Sequence, residues 1–248
     1  MTDAVNNTEL VRQMMDIARA AYEAGDMREQ CGAVVRDGGA ISVVRCENAS
    51  LEPTKRFKIS AQEWGLLHVK HEEVLAVWHS HVNLSAAPSP ADLADIEKHG
   101  LPWHIVSWPQ AGHSYTEPSG YQAPYEGRQF EHGSQDCYTL VSDWYRREMG
   151  IELPDVEREE HWWEKGFDLY RDGFEKHGFV RIPFSANGLK RGDGFLMQVV
   201  SPVPNHAGVY LGNGHMLHHV QDRLSQIVVY GGFWLKNTTH FLRHKSQL

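Results

Sequence analysis

Residues 79–92 read His79-Ser-His81-Val-Asn-Leu-Ser-Ala-Ala-Pro-Ser89-Pro-Ala-Asp92, two imidazoles and a carboxylate at a spacing that suits one metal ion. His79 and His81 stand two apart, so at the end of a β-strand both rings leave the same face. Asp92, at the start of a following helix, can be folded back as a third ligand. Three protein ligands leave one coordination position open, and two His with one carboxylate suit a catalytic Zn2+, which lowers the pKa of bound water to about 7. Such chemistry also needs a proton acceptor for that water and a donor for the developing oxyanion. Glu29, just before the strand that starts at Cys31, fits the first role, and Ser89 the second.

A second constellation lies in the other half. Cys137 sits in Gly133-Ser-Gln-Asp-Cys137-Tyr-Thr-Leu-Val141, where polar loop becomes amphipathic helix. A thiol in the first turn of a helix faces unpaired N–H groups and the positive end of the dipole, which predicts a lowered pKa and a larger thiolate fraction. Thiolate chemistry calls for a histidine that is itself oriented by a third group. The candidates lie in Asn205-His206-Ala-Gly-Val-Tyr-Leu-Gly212-Asn-Gly-His215-Met-Leu-His218-His219, where a hairpin turning at Gly212-Asn-Gly214 brings the rings of His206 and His218 side by side.

These groups need elements to hold them. From Thr8 the apolar positions Leu10, Val11, Met14, Met15, Ile17, Ala18 and Ala21 recur at helical spacing, and Gly25 closes the run. Residues 31–35 and 40–44, flanking Asp37-Gly-Gly39, predict a β-hairpin. Residues 73–78 predict a strand ending in the His/Ser/Pro-rich loop, 91–98 a helix and 103–108 a further strand. Between about Pro109 and Pro124 the chain is polar and turn-rich, without periodicity. This places a linker at 111–121, between a domain of residues 1–110 and one of residues 122–248. The second domain opens with a helix over 136–149, stopped by Gly150, followed by a charged, aromatic helical stretch over 156–176. Trp162, Trp163, Phe167 and Tyr170 read there as a packing face. Strand-like runs follow at 194–200, 207–211, 215–220 and 227–230. Each half is helix plus sheet, so the fold class is α+β in two domains.

Composition excludes several functions. The 248 residues carry 24 basic and 32 acidic side chains, net charge −8, without the basic excess that a phosphate backbone requires, so nucleic acid is not a predicted partner. No apolar window approaches the ~18 residues of a membrane span, and the acidic first thirty residues do not resemble a secretory leader. Cys31, Cys46 and Cys137 are too few for a disulfide framework and fit folding in a reducing compartment, with Cys31 read as a small buried hydrophobe.

The spacing His-x-His, seven residues, Ser, two residues, Asp, with Glu29 upstream of Cys31-Gly32, resembles the JAMM motif of the Mov34/MPN/PAD-1 metallopeptidases, over about residues 8–108. The resemblance implies zinc held by His79, His81 and Asp92, Glu29 as general acid/base, Ser89 as oxyanion support, and hydrolysis of amide or isopeptide bonds. Val82 stands where many members have Pro. Asp136-Cys137 before an apolar helix, Lys190-Arg-Gly-Asp-Gly194 before a strand, and His206-Ala-Gly-Val-Tyr-Leu-Gly212 followed by a second His resemble the NlpC/P60 cysteine peptidases, over about residues 122–242. This implies a papain-like fold that cleaves peptide stems of bacterial cell wall. Cys137 would be its nucleophile, His206 its base and His218 the orienting residue, ahead of His215 and His219. Tyr138-Thr139 replaces the Ser-Gly that commonly follows the nucleophile, and Tyr125 is the tyrosine nearest to the usual oxyanion position.

The two halves together resemble the tail assembly protein K family of long-tailed bacteriophages. Pro124-Tyr-Glu-Gly-Arg-Gln-Phe130, Asp143-Trp-Tyr-Arg146 and Tyr230-Gly-Gly-Phe-Trp234 agree with it as well. That resemblance implies synthesis in the host cytoplasm, a place at the tail tip, and other tail-tip proteins as partners, tail assembly protein I among them, with peptidoglycan stem peptides as substrate. The alternative expectation is an assembly factor whose two peptidase domains are vestigial.

Overall fold

Asn7 caps the first helix, its Oδ1 accepting the Leu10 N–H at 3.0 Å, so α1 (Thr8–Glu23) starts where the polar pair ends and buries Leu10, Met14 and Ala18. The computed structural model describes residues 5–185 and 188–248. It divides into two units, residues 1–121 and 122–248.

In the first unit β1 (Cys31–Asp37) and β2 (Ala40–Cys46) form the hairpin, with Asp37 opposite Ala40. The two-residue turn needs left-handed backbone at both positions, and Gly38 and Gly39 supply it at φ 55° and 83°. After α2 (Ala61–Lys70) come β3 (Glu73–Val82), α3 (Pro90–His99), β4 (Trp103–Trp108) and β5 (Gly112–Thr116). The sheet order is β2-β1-β3-β4-β5, with only β3 and β4 parallel, joined through α3. α1 covers one face over Val34, Ala76, Trp78 and Val106, while Cys31, Ala33, Val35 and Val77 pack on the other with Phe57, Trp64, Leu67 and Ile96. Gly32 is required by close approach. A Cβ there would lie 1.9 Å from the Val44 carbonyl oxygen and 2.6 Å from Trp78 Nε1, whose N–H donates to that oxygen at 3.0 Å.

Two sequence expectations change here. β3 does not stop at Trp78: it runs through both histidines to Val82, because β4 pairs with it as far as Val82 and β1 as far as His79. The expected linker at 111–121 is in part a strand, β5, which pairs antiparallel with β4 at the sheet edge. An edge strand that is only half-buried needs no apolar alternation, so Gly112-His-Ser-Tyr-Thr116 gave no pattern to read. Residues beyond it are tied back by Glu97, whose Oε1 accepts the Ser119 and Tyr121 N–H groups at 2.6 and 3.0 Å.

The second unit opens with α4 (Cys137–Met149), capped by Asp136 and ended at Gly150. Then come a 3₁₀ turn at Trp162–Glu164, the short α5 (Leu169–Gly173), β6 (Phe179–Ile182), β7 (Gly194–Met197), β8 (His206–Gly212), β9 (His215–His218), β10 (Gln226–Val229), α6 (Gly232–Asn237) and β11 (Thr238–His244). The sheet order is β10-β9-β8-β7-β11-β6, and every pair is antiparallel. Leu140, Val141, Trp144 and Tyr145 of α4 pack on Leu196, Ala207, Val209, Leu217 and Leu242, while Phe195, Met197, Tyr210 and Met216 face the other side with Tyr230, Trp234 and Phe241. Asp193, just before β7, takes Arg243 of β11 through two 2.7 Å contacts. The helical stretch expected over 156–176 reduces to the turn and α5, because its aromatic periodicity serves packing around Cys137 and its Arg158 is drawn inward.

Candidate active sites

In β3 the rings of His79 and His81 leave the face that carries α2 and α3, and α3 delivers Asp92 to them. His79 Nε2 and His81 Nε2 are 3.1 Å apart, with Asp92 Oδ1 3.4 Å from the first and Oδ2 3.5 Å from the second. A zinc ion bound tetrahedrally at about 2.0–2.1 Å separates its ligand atoms by about 3.3–3.4 Å. The two imidazole nitrogens and the two oxygens of Asp92 therefore lie at close to that spacing, and His79, His81 and Asp92 are the group among the described residues that could hold a metal ion. His81 Nδ1 lies 2.7 Å from the Ser85 carbonyl, which fixes its proton there and leaves the Nε2 lone pair facing inward. His79 Nδ1 is buried without a hydrogen-bond partner, and its ring is held by packing: Phe57 stacks on it at 4.5 Å and Trp103 meets it edge-on at 5.6 Å.

Ser89 and Asp92 form a capping box at the start of α3. Ser89 Oγ accepts the Asp92 N–H at 3.1 Å, and Asp92 Oδ2 accepts the Ser89 N–H at 2.7 Å. Ser89 thereby aims the Asp92 carboxylate at the imidazoles. Burial drives the Asp92 carboxyl upward, but His79, His81 and Ser89 outweigh it and hold it at about 2. Burial lowers His79 to about 4. Burial also opposes the charged form of His81, yet Asp92, the Ser85 carbonyl and the charge of Glu29 raise it overall.

Glu29 is buried beside this group. Its N–H donates to the Pro53 carbonyl at 2.7 Å and its carbonyl accepts Asn48 Nδ2 at 3.0 Å. Gln30 is bound to Ser80, between the two histidines, by Gln30 N to Ser80 Oγ and Ser80 N to Gln30 O, both 2.8 Å. Glu29 also lines a surface pocket with Arg28, Gln30, Arg45, Glu47 and Asn48. Asn48 and Ser80 gave no sequence signal, since their work is done through backbone atoms of distant residues.

In the second unit Cys137 begins α4, and its sulfur lies 3.1 Å from Tyr170 Oη, a hydrogen bond in which either group can donate. His206 Nε2 is 3.0 Å from His218 Nδ1, and Trp234 stands edge-on to His218 at 4.3 Å. Cys137 and His206 line one cleft, with Phe130, His132, Trp162, Trp163 and His219 among its other walls. No hydrogen bond joins the sulfur to the His206 ring, a contact that often tightens only with substrate bound.

Two sequence expectations are corrected here. The thiol is not acidified: burial pushes Cys137 up to about 11, the adjacent Asp136 carboxylate adds to this, and Tyr170, the Ala207 N–H and Arg158 only partly offset it. The Asp136 cap puts a negative charge at the same helix end and opposes the dipole. Tyr125 is not at the nucleophile. Its hydroxyl bonds Glu148 at 3.1 Å, eleven residues along α4 from Cys137, about 16 Å at 1.5 Å per residue. Tyr170, read as packing, takes that place beside the sulfur. Arg158 was also missed: it is buried against Asp136 at 2.9 Å and lies 4.8 Å above the Tyr138 ring, locking the cap that orients Cys137.

Burial also lowers His206 to about 3, and His218 and His219 to about 4, with neighbouring imidazoles adding to the effect at His206 and His218 and the Arg128 charge at His219. Below pH 6.5 the unfolded imidazoles take up protons that these buried rings refuse, so stability is full above pH 6.5 and falls as the pH drops toward 4. Amide exchange in β8 and β9 of the full chain, corrected for its intrinsic rate, is expected to accelerate over that range. Constant protection would show these rings to be hydrated.

Residues 125–243 match the NlpC/P60 family, and residues 7–118 match the prokaryotic homologues of the JAB domain. The tail tip assembly protein K of Escherichia phage N15 is 35% identical over 245 residues, 95% of this chain and 96% of that protein. This chain belongs to the tail tip assembly protein K family. The K protein of Escherichia phage lambda is 37% identical over 188 residues, 76% of this chain and 90% of its own. A solved NlpC/P60 family protein from Bacillus cereus aligns with 91% of this K-family chain and 66% of itself at 13% identity, with a TM-score of 0.30. The element order and the two family matches together make the fold α+β, with a JAB-like domain first and an NlpC/P60 domain second. Among the described residues no helix is long and apolar enough to cross a membrane.

Proposed function

We propose that the protein is a tail-tip peptidase with two chemistries: zinc-dependent (iso)peptide hydrolysis in the first domain and thiol-dependent cleavage of peptidoglycan stem peptides in the second. The observation that carries the reading is the convergence of His79, His81 and Asp92 at close to zinc-edge spacing, since helix capping accounts for Asp92 but not for two buried imidazoles facing its carboxylate. His79, His81 and Asp92 would hold the ion, which when bound supplies Lewis acidity and a water of lowered pKa. Glu29 takes the proton of the attacking water and returns it to the leaving amine, and the Ser89 hydroxyl hydrogen, its oxygen already accepting from Asp92, donates to the oxyanion.

In the second domain His206 accepts the Cys137 proton as the sulfur attacks the scissile carbonyl, and His218 keeps the ring oriented. The C–N bond breaks as the amine takes that proton, and water then hydrolyses the thioester. Both groups rest neutral, so proton transfer accompanies attack. During assembly the chain would act in the host cytoplasm with tail-tip partners, tail assembly protein I among them, and reach the wall as part of the tail.

A second reading, an assembly factor without turnover, draws on one observation: the sulfur bonds Tyr170 and not His206. Metal analysis and a peptidoglycan digest decide between them. Purified protein is expected to hold about one zinc per chain, lost in a His79→Ala/His81→Ala variant, and to release stem-peptide fragments with or without chelator. Metal-free native protein that leaves peptidoglycan intact would establish the second reading.

A further inference from the structure

Tyr170 comes from the segment between α4 and β6, thirty-three residues after the cysteine whose sulfur it touches at 3.1 Å. Its ring is buried, with Trp162 edge-on at 5.5 Å and Tyr138 tilted at 6.5 Å, so the hydroxyl has little freedom to turn away. The hydroxyl therefore meets the sulfur at the wall of the cleft that also carries His206. A thiol that merely packed would need no such partner. A thiolate, and the oxyanion that forms beside it on attack, would use it.

We infer that Tyr170 is a catalytic residue of the thiol site, its hydroxyl donating a hydrogen bond to the Cys137 sulfur as negative charge develops there and to the carbonyl oxygen next to it after attack. Tyr170 keeps its proton throughout. The sulfur's own proton goes to His206, the sulfur electron pair forms the S–C bond, and the carbonyl π pair moves onto oxygen. The inference rests on the reading of Cys137 as nucleophile and adds to it the donor that Tyr125, bonded to Glu148, does not provide.

The test is Tyr170→Phe, which removes one oxygen and keeps the ring contacts. Iodoacetamide alkylation of Cys137, followed by mass on the peptide that carries it, reads the thiol without any peptidoglycan activity. Sulfur displaces iodide after losing its proton, so the rate tracks the thiolate fraction. The variant is expected to move the midpoint of that pH profile up by about one unit, a tenfold loss of thiolate at fixed pH. It should also lower kcat on peptidoglycan about 100-fold with KM little changed. An unchanged or faster alkylation profile would overturn the role, the faster one marking Tyr170 as a restraint on the sulfur. Should the phenylalanine chain fail to fold, 3-fluorotyrosine placed at position 170, a stronger donor, must lower the midpoint, and no movement overturns the inference. Wild-type protein that alkylates normally but leaves peptidoglycan intact would remove the peptidase reading while the alkylation profiles still decide Tyr170.

Discussion

Cys137→Ala protein is expected to release stem peptides from purified peptidoglycan at least about 10⁴-fold more slowly than wild type, with chelator affecting neither. The size follows from the division of labour. His206 and His218 activate nothing once the sulfur is gone, and the Tyr170 hydroxyl can polarise a carbonyl but cannot attack it. The fold should survive, because Asp136 caps α4 through the Thr139 N–H at 2.9 Å and is paired with Arg158, independently of the thiol. Equal cleavage by the alanine variant would remove the thiol mechanism altogether. Tail infectivity in the same variant is a separate readout: infectious tails without Cys137 would mean that wall cleavage is dispensable for entry.

Glu29→Gln is expected to keep about one zinc per chain and to lose zinc-dependent hydrolysis by about 10²–10⁴. The separation of the two readouts is the point. Three other side chains form the ligand triangle, whereas Glu29 stands beside it on a backbone pinned by Pro53, Asn48 and the Gln30–Ser80 pair. Glutamine preserves shape but cannot accept the water's proton. The measurement is the mass of a co-expressed tail-tip partner, processed by wild type and intact with the variant. A variant that loses zinc would instead place Glu29 among the ligands, and one that processes normally would deny it a proton-transfer role.

How far sequence reaches differs between the two halves. The convergence of His79, His81 and Asp92 is local: two positions of one strand and the first turn of the next helix, so period-2 geometry and a capping pattern suffice to bring them together. Likewise α1, the hairpin and α4 carry their own signals in apolar spacing, paired glycines and caps. The surroundings of Cys137 depend instead on a segment whose regularity is weak. Arg158 and Tyr170 come from residues 150–178, where two short turns of helix replace the expected long one. Nothing in their sequence spacing points to the sulfur, because only tertiary packing puts them there. β5 and β11 were hidden for a related reason. Both are only partly buried, and strands that do not face a core on every second residue show no alternation. The thiol's acidity was misjudged because burial is a property of the whole fold, while the helix dipole is a property of one element.

The capping box at α3 has a consequence for how such a chain would drift over generations. Ser89 and Asp92 are kept by helix geometry whether or not any bond is ever cleaved, so their survival in a lineage would say little about turnover. His79 is in the opposite position. It is an imidazole sealed among aromatic rings with Nδ1 left unpaired, a burden of about 1–3 kcal/mol that an aliphatic side chain would relieve. Selection that no longer asked for metal would discard it first, which makes position 79 the sensitive gauge of whether a descendant still hydrolyses anything.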